Sequence, residues 1–408
     1  MLPHDTVHPK HRRAPRPSCL RWLWQACLPA VAAAITGCGG GDGAEAPTPV
    51  EPPAAAPWSW NLPPGWSPPP VPADNPMNAA KVELGRRLFY DVRLSGNGTQ
   101  SCASCHAQAS AFTDNRALAR GSTGEVHPRN AQPLANVAYH TTLNWADPTA
   151  TTLEQQMQAP LFNARPVELG VNDGNRAEVL QRLRQDPDYP PRFAAAFAGA
   201  AEPLSWDHAI KAIAAFERTL ISADSRYDRH QAGQETLTDA ETRGMRLFFG
   251  ERALCSRCHG SPDFNDQFST AAAASAASFH NTGLFNIGGS GAYPEPNRGI
   301  YEITRQITDM GRFRAASLRN VELTAPYMHD GSLPTLEAVL DFYADGGRVV
   351  GNGLYAGDGR LNPFKDPLVS QIRLNAQDKA DLVAFLKTLT DHSFVTDPRF
   401  ADPFAASP

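Results

Sequence analysis

No stretch of this chain is long or apolar enough to span a bilayer. The longest candidate, Leu23 to Ile35, is too short for a stable anchor and follows basic Lys10, Arg12, Arg13, Arg16 and Arg21. An excess of positive charge is also missing, since 37 Lys and Arg stand against 42 Asp and Glu, a formal net charge of −5. That excludes nucleic acid as a partner, because phosphates demand a basic surface. Alternating strand patterns are few, and Gly- and Pro-rich loops such as Gly288-Gly-Ser-Gly and Gly346-Gly347 fill the gaps between helical segments. Cysteine is scarce, with 7 in 408 residues, and the places where those seven fall decide the chemistry.

Four of them form Cys102-Ala-Ser-Cys105-His106 and Cys255-Ser-Arg-Cys258-His259. Each string is a C-x-x-C-H motif, the attachment site of a c-type haem. The two thiols add to the haem vinyl groups and the histidine supplies the proximal imidazole to iron. The competing reading is one zinc held by all four thiolates. It ignores the histidine after each pair and needs ligands about 150 residues apart. Two covalently bound haem c groups are therefore expected, with His106 and His259 on the irons.

The other cysteines lie near the N-terminus. The apolar run ends in Ile35-Thr36-Gly37-Cys38, which is similar to a bacterial lipobox. Residues 1–37 are expected to be a signal peptide, with Cys38 lipidated and Cys19 and Cys27 removed. The rival is a plain signal peptide with an incidental Cys38. Loss of residues 1–37 takes five basic and one acidic residue from the totals of 37 and 42, leaving 32 and 41 and a net charge near −9. The expectation is an exported, periplasmic protein touching the membrane only through a lipid anchor in the outer membrane. Its acidic balance permits docking of a basic protein.

Residues 38–77 read as the lipidated cysteine and a proline-rich tether. Ala46-Pro-Thr-Pro-Val-Glu-Pro-Pro and Pro68-Pro-Pro-Val-Pro favour extended polyproline II. Trp58, Trp60 and Trp66 either fold back onto the domain or are linker residues. Helices are expected over Ala79–Tyr90, from Thr238 with capping-box spacing, over Trp206–Ser222, and over Asn375–Thr390 with Asn375 as N-cap. "Gly85-Arg-Arg-Leu-Phe-Tyr … C-x-x-C-H" echoes "Gly244-Met-Arg-Leu-Phe-Phe … C-x-x-C-H", an internal repeat. The fold class is mainly α: two cytochrome c-like haem domains with long loops, over residues 78–235 and 236–395.

The motif order resembles the bacterial dihaem cytochrome c peroxidase/MauG superfamily over about residues 78–391. Its carriers are Asn97-Gly-Thr-Gln-Ser-Cys-Ala-Ser-Cys-His, Pro166-Val-Glu-Leu-Gly, Arg312-Phe-Arg, Ser317-Leu-Arg-Asn-Val and Leu323-Thr-Ala-Pro-Tyr-Met-His-Asp-Gly-Ser. The resemblance implies a peroxide-reacting first haem and an electron-transfer second haem. Glu168 matches the family's distal glutamate, and its carboxyl would have a raised pKa in an apolar pocket. Gln156 and Pro160 match other distal positions. The place of a switchable histidine ligand falls on Ser122, with His127 nearby but out of register, so a first haem needing no reductive activation is implied. Trp145 matches an inter-haem tryptophan able to carry a hole. Asn130 matches the side-chain ligand of a structural calcium, and Thr324 and Pro326 its backbone carbonyl ligands.

Within the superfamily, the sixth ligand of the second haem separates two branches. Peroxidases place a methionine fourteen residues after the His-Asp-Gly histidine, which from His329 falls on Tyr343. MauG-like enzymes carry tyrosine there, and a phenolate lowers the iron potential and stabilises oxidised states. Spacing alone leaves Met328 as a rival, with Tyr343 a packed helix residue beside Phe342. Phe112-Thr-Asp-Asn-Arg, Asn281-Thr-Gly-Leu-Phe-Asn-Ile and Asp309-Met-Gly-Arg-Phe-Arg are similar to the MbnH group, which oxidises a tryptophan of a copper-binding, MbnP-like partner.

Two enzymatic readings follow from the resemblance. In the first, hydrogen peroxide generates a high-valent state shared by both haems, which oxidises residues of a partner protein. In the second, the enzyme detoxifies peroxide with electrons from a small cytochrome or cupredoxin. A third, a non-enzymatic electron carrier, needs two saturated irons, against which the Glu168 pocket speaks.

Overall fold

The computed structural model describes residues 58–405. Residues 1–37, Cys38 and the first proline run lie outside the described residues. The helices, in chain order, are α1 (Ala79–Tyr90), α2 (Leu153–Gln156), α3 (Gln158–Phe162), α4 (Arg176–Gln185), α5 (Tyr189–Ala196), α6 (Trp206–Glu217), α7 (Arg226–Gln231), α8 (Asp239–Phe248), α9 (Tyr301–Thr304), α10 (Leu336–Asp345), α11 (Ala376–Lys387) and α12 (His392–Thr396). One antiparallel pair, β1 (Val349–Val350) and β2 (Gly357–Asp358), pairs Val349 with Asp358. Long loops connect the rest, as expected from the Gly and Pro content.

Two helix crossings organise the fold, and they repeat one another. α1 packs on α6 at Gly85, where a Cβ would collide with the carbonyl of Ala212. α8 packs on α11 at Gly244, where a Cβ would collide with the carbonyl of Asp381. Glycine is required at both places because the backbones touch. The phenylalanines flanking each crossing bury fully: Phe89 and Phe216 at the first, Phe248 and Phe385 at the second. Each such side chain contributes about 1.5–3 kcal/mol of burial. The echo seen in the sequence is thus a repeated helix pair.

The expected helix starts are observed. Thr238 caps α8 with a reciprocal Glu241 bond, and Asn375 caps α11 with Asp378. The ends come early. α6 stops at Glu217 rather than Ser222, because Arg218 leaves to pair with Glu154 at 2.7 Å and Thr219 turns its hydroxyl onto the Phe216 carbonyl. α11 stops at Lys387 because Thr388 does the same to Phe385.

Apolar residues gather in three clusters: around α1 and α6, around α8 and α11, and around Phe285, Tyr293, Phe313 and Phe342. Phe394 and Phe400 from the C-terminal end return to the first cluster. The proline-rich segment does the same. Trp66 packs edge-on against Tyr139 and Phe268, each 5.5 Å away, and beneath Arg319. Asn75 is fully buried, donating to Glu154 at 2.6 Å and accepting from Lys81 at 2.9 Å. Residues 58–77 therefore lie against the fold where composition suggested a spacer. Among the described residues no helix is long and apolar enough to cross a membrane.

Candidate active site: two thiol–histidine cavities

Both C-x-x-C-H motifs enter the fold in the same way. A 3-10 turn, Cys102–Ser104 in one and Cys255–Arg257 in the other, brings the histidine amide back onto the first cysteine's carbonyl, at 3.0 Å for His106 and 2.9 Å for His259. His106 Nδ1 then lies 2.8 Å from the Phe112 carbonyl, and His259 Nδ1 lies 3.1 and 3.0 Å from those of Phe264 and Ala316. A carbonyl fixes hydrogen on Nδ1 and leaves the Nε2 lone pair for a metal. Burial pushes both imidazoles below their ordinary pKa, so the lone pair stays free of protons.

Cys102, Cys105 and His106 line one cavity; Cys255, Cys258 and His259 line another. All four thiols are unpaired. A zinc site using both pairs is thereby ruled out, and among the described residues no cluster of three or more His, Cys, Asp or Glu could hold a metal ion by itself. Burial raises the thiol pKa values of Cys102, Cys105 and Cys255, the last two to about 12. Neutral thiols in apolar walls fit poorly to a cationic metal, whose ligand is the thiolate.

The polar groups around the cavities fit a haem as well. Arg314 is 5% exposed and lines both cavities. Its Nη1 donates to the Thr142 carbonyl at 2.6 Å, while Nε and Nη2 have no partner. His140 Nδ1 and His329 Nε2 are buried without partners in the first and second cavity respectively. The orphaned buried donors of Arg314 are costly, and the carboxylates of a haem are the anionic acceptors such donors match.

The first cavity collects Trp145, Gln156, Pro160 and Glu168, as the sequence suggested. Gln156 Nε2 points to Asn144 Oδ1 at 3.4 Å. Glu168 departs from expectation. Its side chain is 34% exposed and faces His127, whose Nε2 is 3.4 Å from Oε1. The carboxylate sits opposite an imidazole in place of the apolar surroundings expected of it. Sequence reasoning also passed over Glu217, the last residue of α6. It is buried in the wall of this cavity, and burial pushes its carboxyl up to about 8.

The second cavity brings together Tyr343, from α10, and Met328, so both candidate ligands reach the same space. Burial and the nearby Cys258 and Cys255 hold the Tyr343 hydroxyl well above its ordinary pKa. A phenolate there needs a cation beside it. Asn130, Thr324 and Pro326 also line this cavity. Asn130 Nδ2 donates to the Arg116 carbonyl at 2.7 Å, leaving its amide oxygen as the donor for a hard cation. Trp145 lines both cavities, and its indole N–H donates to the Asn130 carbonyl at 2.8 Å.

Residues 79–236 match the family described as di-haem cytochrome c peroxidase. The chain is 36% identical over 362 residues to the cytochrome-c peroxidase IdrP1 of Denitromonas iodatirespirans, covering 82% of this chain and 87% of the relative. The chain belongs to the dihaem cytochrome c peroxidase/MauG superfamily. The methylamine utilization protein MauG of Methylorubrum extorquens is 35% identical over 324 residues, covering 78% of this chain and 81% of MauG. A solved structure of a MauG-like protein associated with microbial copper homeostasis superposes with a TM-score of 0.84 at 55% identity, covering 85% of this chain and all of that one. This dihaem protein is a peroxidase-type oxidoreductase, and its family implies two c-type haems.

Proposed function

We propose that this dihaem enzyme uses hydrogen peroxide to oxidise residues of a partner protein. The observation that carries the reading is the 55% identity, across 85% of the chain, to a MauG-like protein associated with microbial copper homeostasis. When bound, the two haems supply peroxide cleavage and storage of its oxidising equivalents. The chain's own residues supply the rest. Glu168 and Gln156 hold and move the peroxide proton at the first cavity. Trp145, which lines both cavities, carries the hole between them. Tyr343 gives the second site a hard anionic donor that disfavours reduction. Asn130, Thr324 and Pro326 hold a calcium ion that ties the two haem domains, residues 78–235 and 236–395. The partner is an exported copper-binding, MbnP-like protein and the oxidised residue a tryptophan. The enzyme works in the periplasm, lipid-anchored to the outer membrane through Cys38.

The near-infrared spectrum of the diferric protein after one equivalent of hydrogen peroxide tests this. A long-lived charge-resonance band supports the reading. Its absence, with fast turnover of reduced cytochrome c, supports a detoxifying peroxidase fed by a small cytochrome or cupredoxin. That second reading is favoured by one observation, Met328 in the same cavity as Tyr343.

A further inference from the structure

The loop that carries His127 is built against the Glu168 segment by backbone contacts on both sides. Ser122 N–H donates to the Glu168 carbonyl at 2.7 Å, and Val167 N–H donates to Glu125 Oε2 at 3.2 Å. A Cβ on Gly121 would collide with the Val167 carbonyl, so only glycine permits the approach. The loop closes on itself through an Arg120–Val126 bridge and a 2.8 Å bond from His127 N–H to the Ala119 carbonyl. His127 is thereby aimed at Glu168 by structure on either side of it.

The backbone of Arg129 gives His127 a partner in every protonation state. Its carbonyl lies 3.2 Å from Nδ1, and its N–H lies 3.1 Å from the same atom. With hydrogen on Nδ1, the carbonyl accepts it and Nε2 presents a lone pair to Glu168. Protonation then adds a hydrogen at Nε2 without breaking the Nδ1 contact. The His127 side chain is 25% exposed and that of Glu168 34%, and both line the cavity. Competing charges are engaged elsewhere. The Arg129 guanidinium pairs with Glu302 at 3.2 Å, Arg120 points to the Gly124 carbonyl at 3.5 Å, and Arg314 donates to Thr142. Arg165, Asp147 and Glu217 complete the charged lining of the cavity.

The geometry points to His127 as the proton-exchange partner of Glu168, a positioning residue that orients the carboxylate and takes its proton. This rests on the reading of the first cavity as the peroxide site. An acid entering the cavity gives its proton to a Glu168 oxygen. The carboxylic acid passes that proton to His127 Nε2, restoring carboxylate and leaving an imidazolium. The imidazolium either returns the proton or releases it to water. No electrons move, and the proton count is conserved at each transfer. Imidazole suits the task because it accepts a proton at one ring nitrogen while the other keeps its partner.

Cyanide binding to the ferric holoprotein tests this without turnover, because hydrogen cyanide must surrender a proton as peroxide does. Binding rates followed in the visible spectrum from pH 5 to 9 should depend on pH. His127→Gln should flatten that dependence and slow binding about 100-fold, the lower end of what a positioned proton-transfer group contributes. His127→Ala should behave alike. Glu168→Gln should slow binding at every pH. If both His127 variants keep the wild-type profile while Glu168→Gln is slow, His127 has no such role and the cavity reading stands. If Glu168→Gln also matches wild type, the cavity reading itself falls. A low-spin signal in the diferric electron paramagnetic resonance spectrum that disappears in His127→Gln would make His127 an iron ligand and overturn the relay.

Discussion

The indole N–H of Trp145 donates to the backbone carbonyl of Asn130 over 2.8 Å. That bond pins a ring lining both thiol–histidine cavities to the residue whose amide faces the second. The Asn130 N–H in turn donates to the His329 carbonyl at 2.8 Å, which anchors the segment that holds the ring. A ring so held has little freedom to rotate.

Trp145→Phe keeps the aromatic volume and loses the indole. The expected outcome is normal attachment of both haems and at least a tenfold weaker near-infrared band after peroxide, since phenylalanine is far harder to oxidise and a lost positioning bond costs about 10- to 100-fold in such sites. Haem content by pyridine haemochrome and the band intensity check it together. An unchanged band would reduce Trp145 to a packing residue.

Tyr343→Phe tests the second cavity. The variant should retain covalent haem at Cys255 and Cys258 and shorten the life of the oxidised state by about tenfold, because a neutral ring gives no anionic donor. Stopped-flow decay after one equivalent of peroxide reads this. The same lifetime in the variant would transfer the ligand role to Met328.

Glu217 makes stability depend on pH. Its carboxyl is raised from 4.5 to about 8 by burial. A raised carboxyl keeps its proton in the folded state while the unfolded chain ionises. Its contribution is therefore present in full below about pH 4.5 and is lost as pH rises towards 8. Glu217→Gln, neutral throughout, should gain stability relative to wild type across that window and hold a constant advantage above it. Thermal melts of the holoprotein at pH 5, 7 and 9 measure the difference. A difference that does not grow with pH would place the charge of Glu217 elsewhere.

Gly244→Ala should destabilise the α8–α11 pair by about 1–3 kcal/mol or more, because the new Cβ collides with the Asp381 carbonyl. Gly351→Ala is the control, with nothing within 4 Å of its added methyl. Equal melting temperatures for the two variants would show that the crossing yields without cost.

Much of the site was legible because its chemistry is local. C-x-x-C-H strings, capping residues Thr238 and Asn375, and the Gly85 and Gly244 echo are short patterns whose meaning depends on neighbours in sequence. Family resemblance then pointed to Trp145, Gln156, Glu168, Tyr343, Asn130, Thr324 and Pro326, and the fold gathers each of them at one or other cavity. Helix ends were less legible. Arg218 leaves α6 for Glu154, which lies 64 residues away.

By itself the sequence determined the two thiol–histidine motifs, the helix starts and the repeated helix ahead of each motif, since each follows from spacing along a short stretch of chain. Tertiary structure alone decided that His127 meets Glu168, that Arg314 lines both cavities with two free donors, and that Trp66 and Asn75 lie against the domain. These depend on loops closing over tens of residues, where a backbone contact such as that between Gly121 and Val167 sets the register. No periodicity reports such a contact, because its partners are neighbours only once the chain has folded.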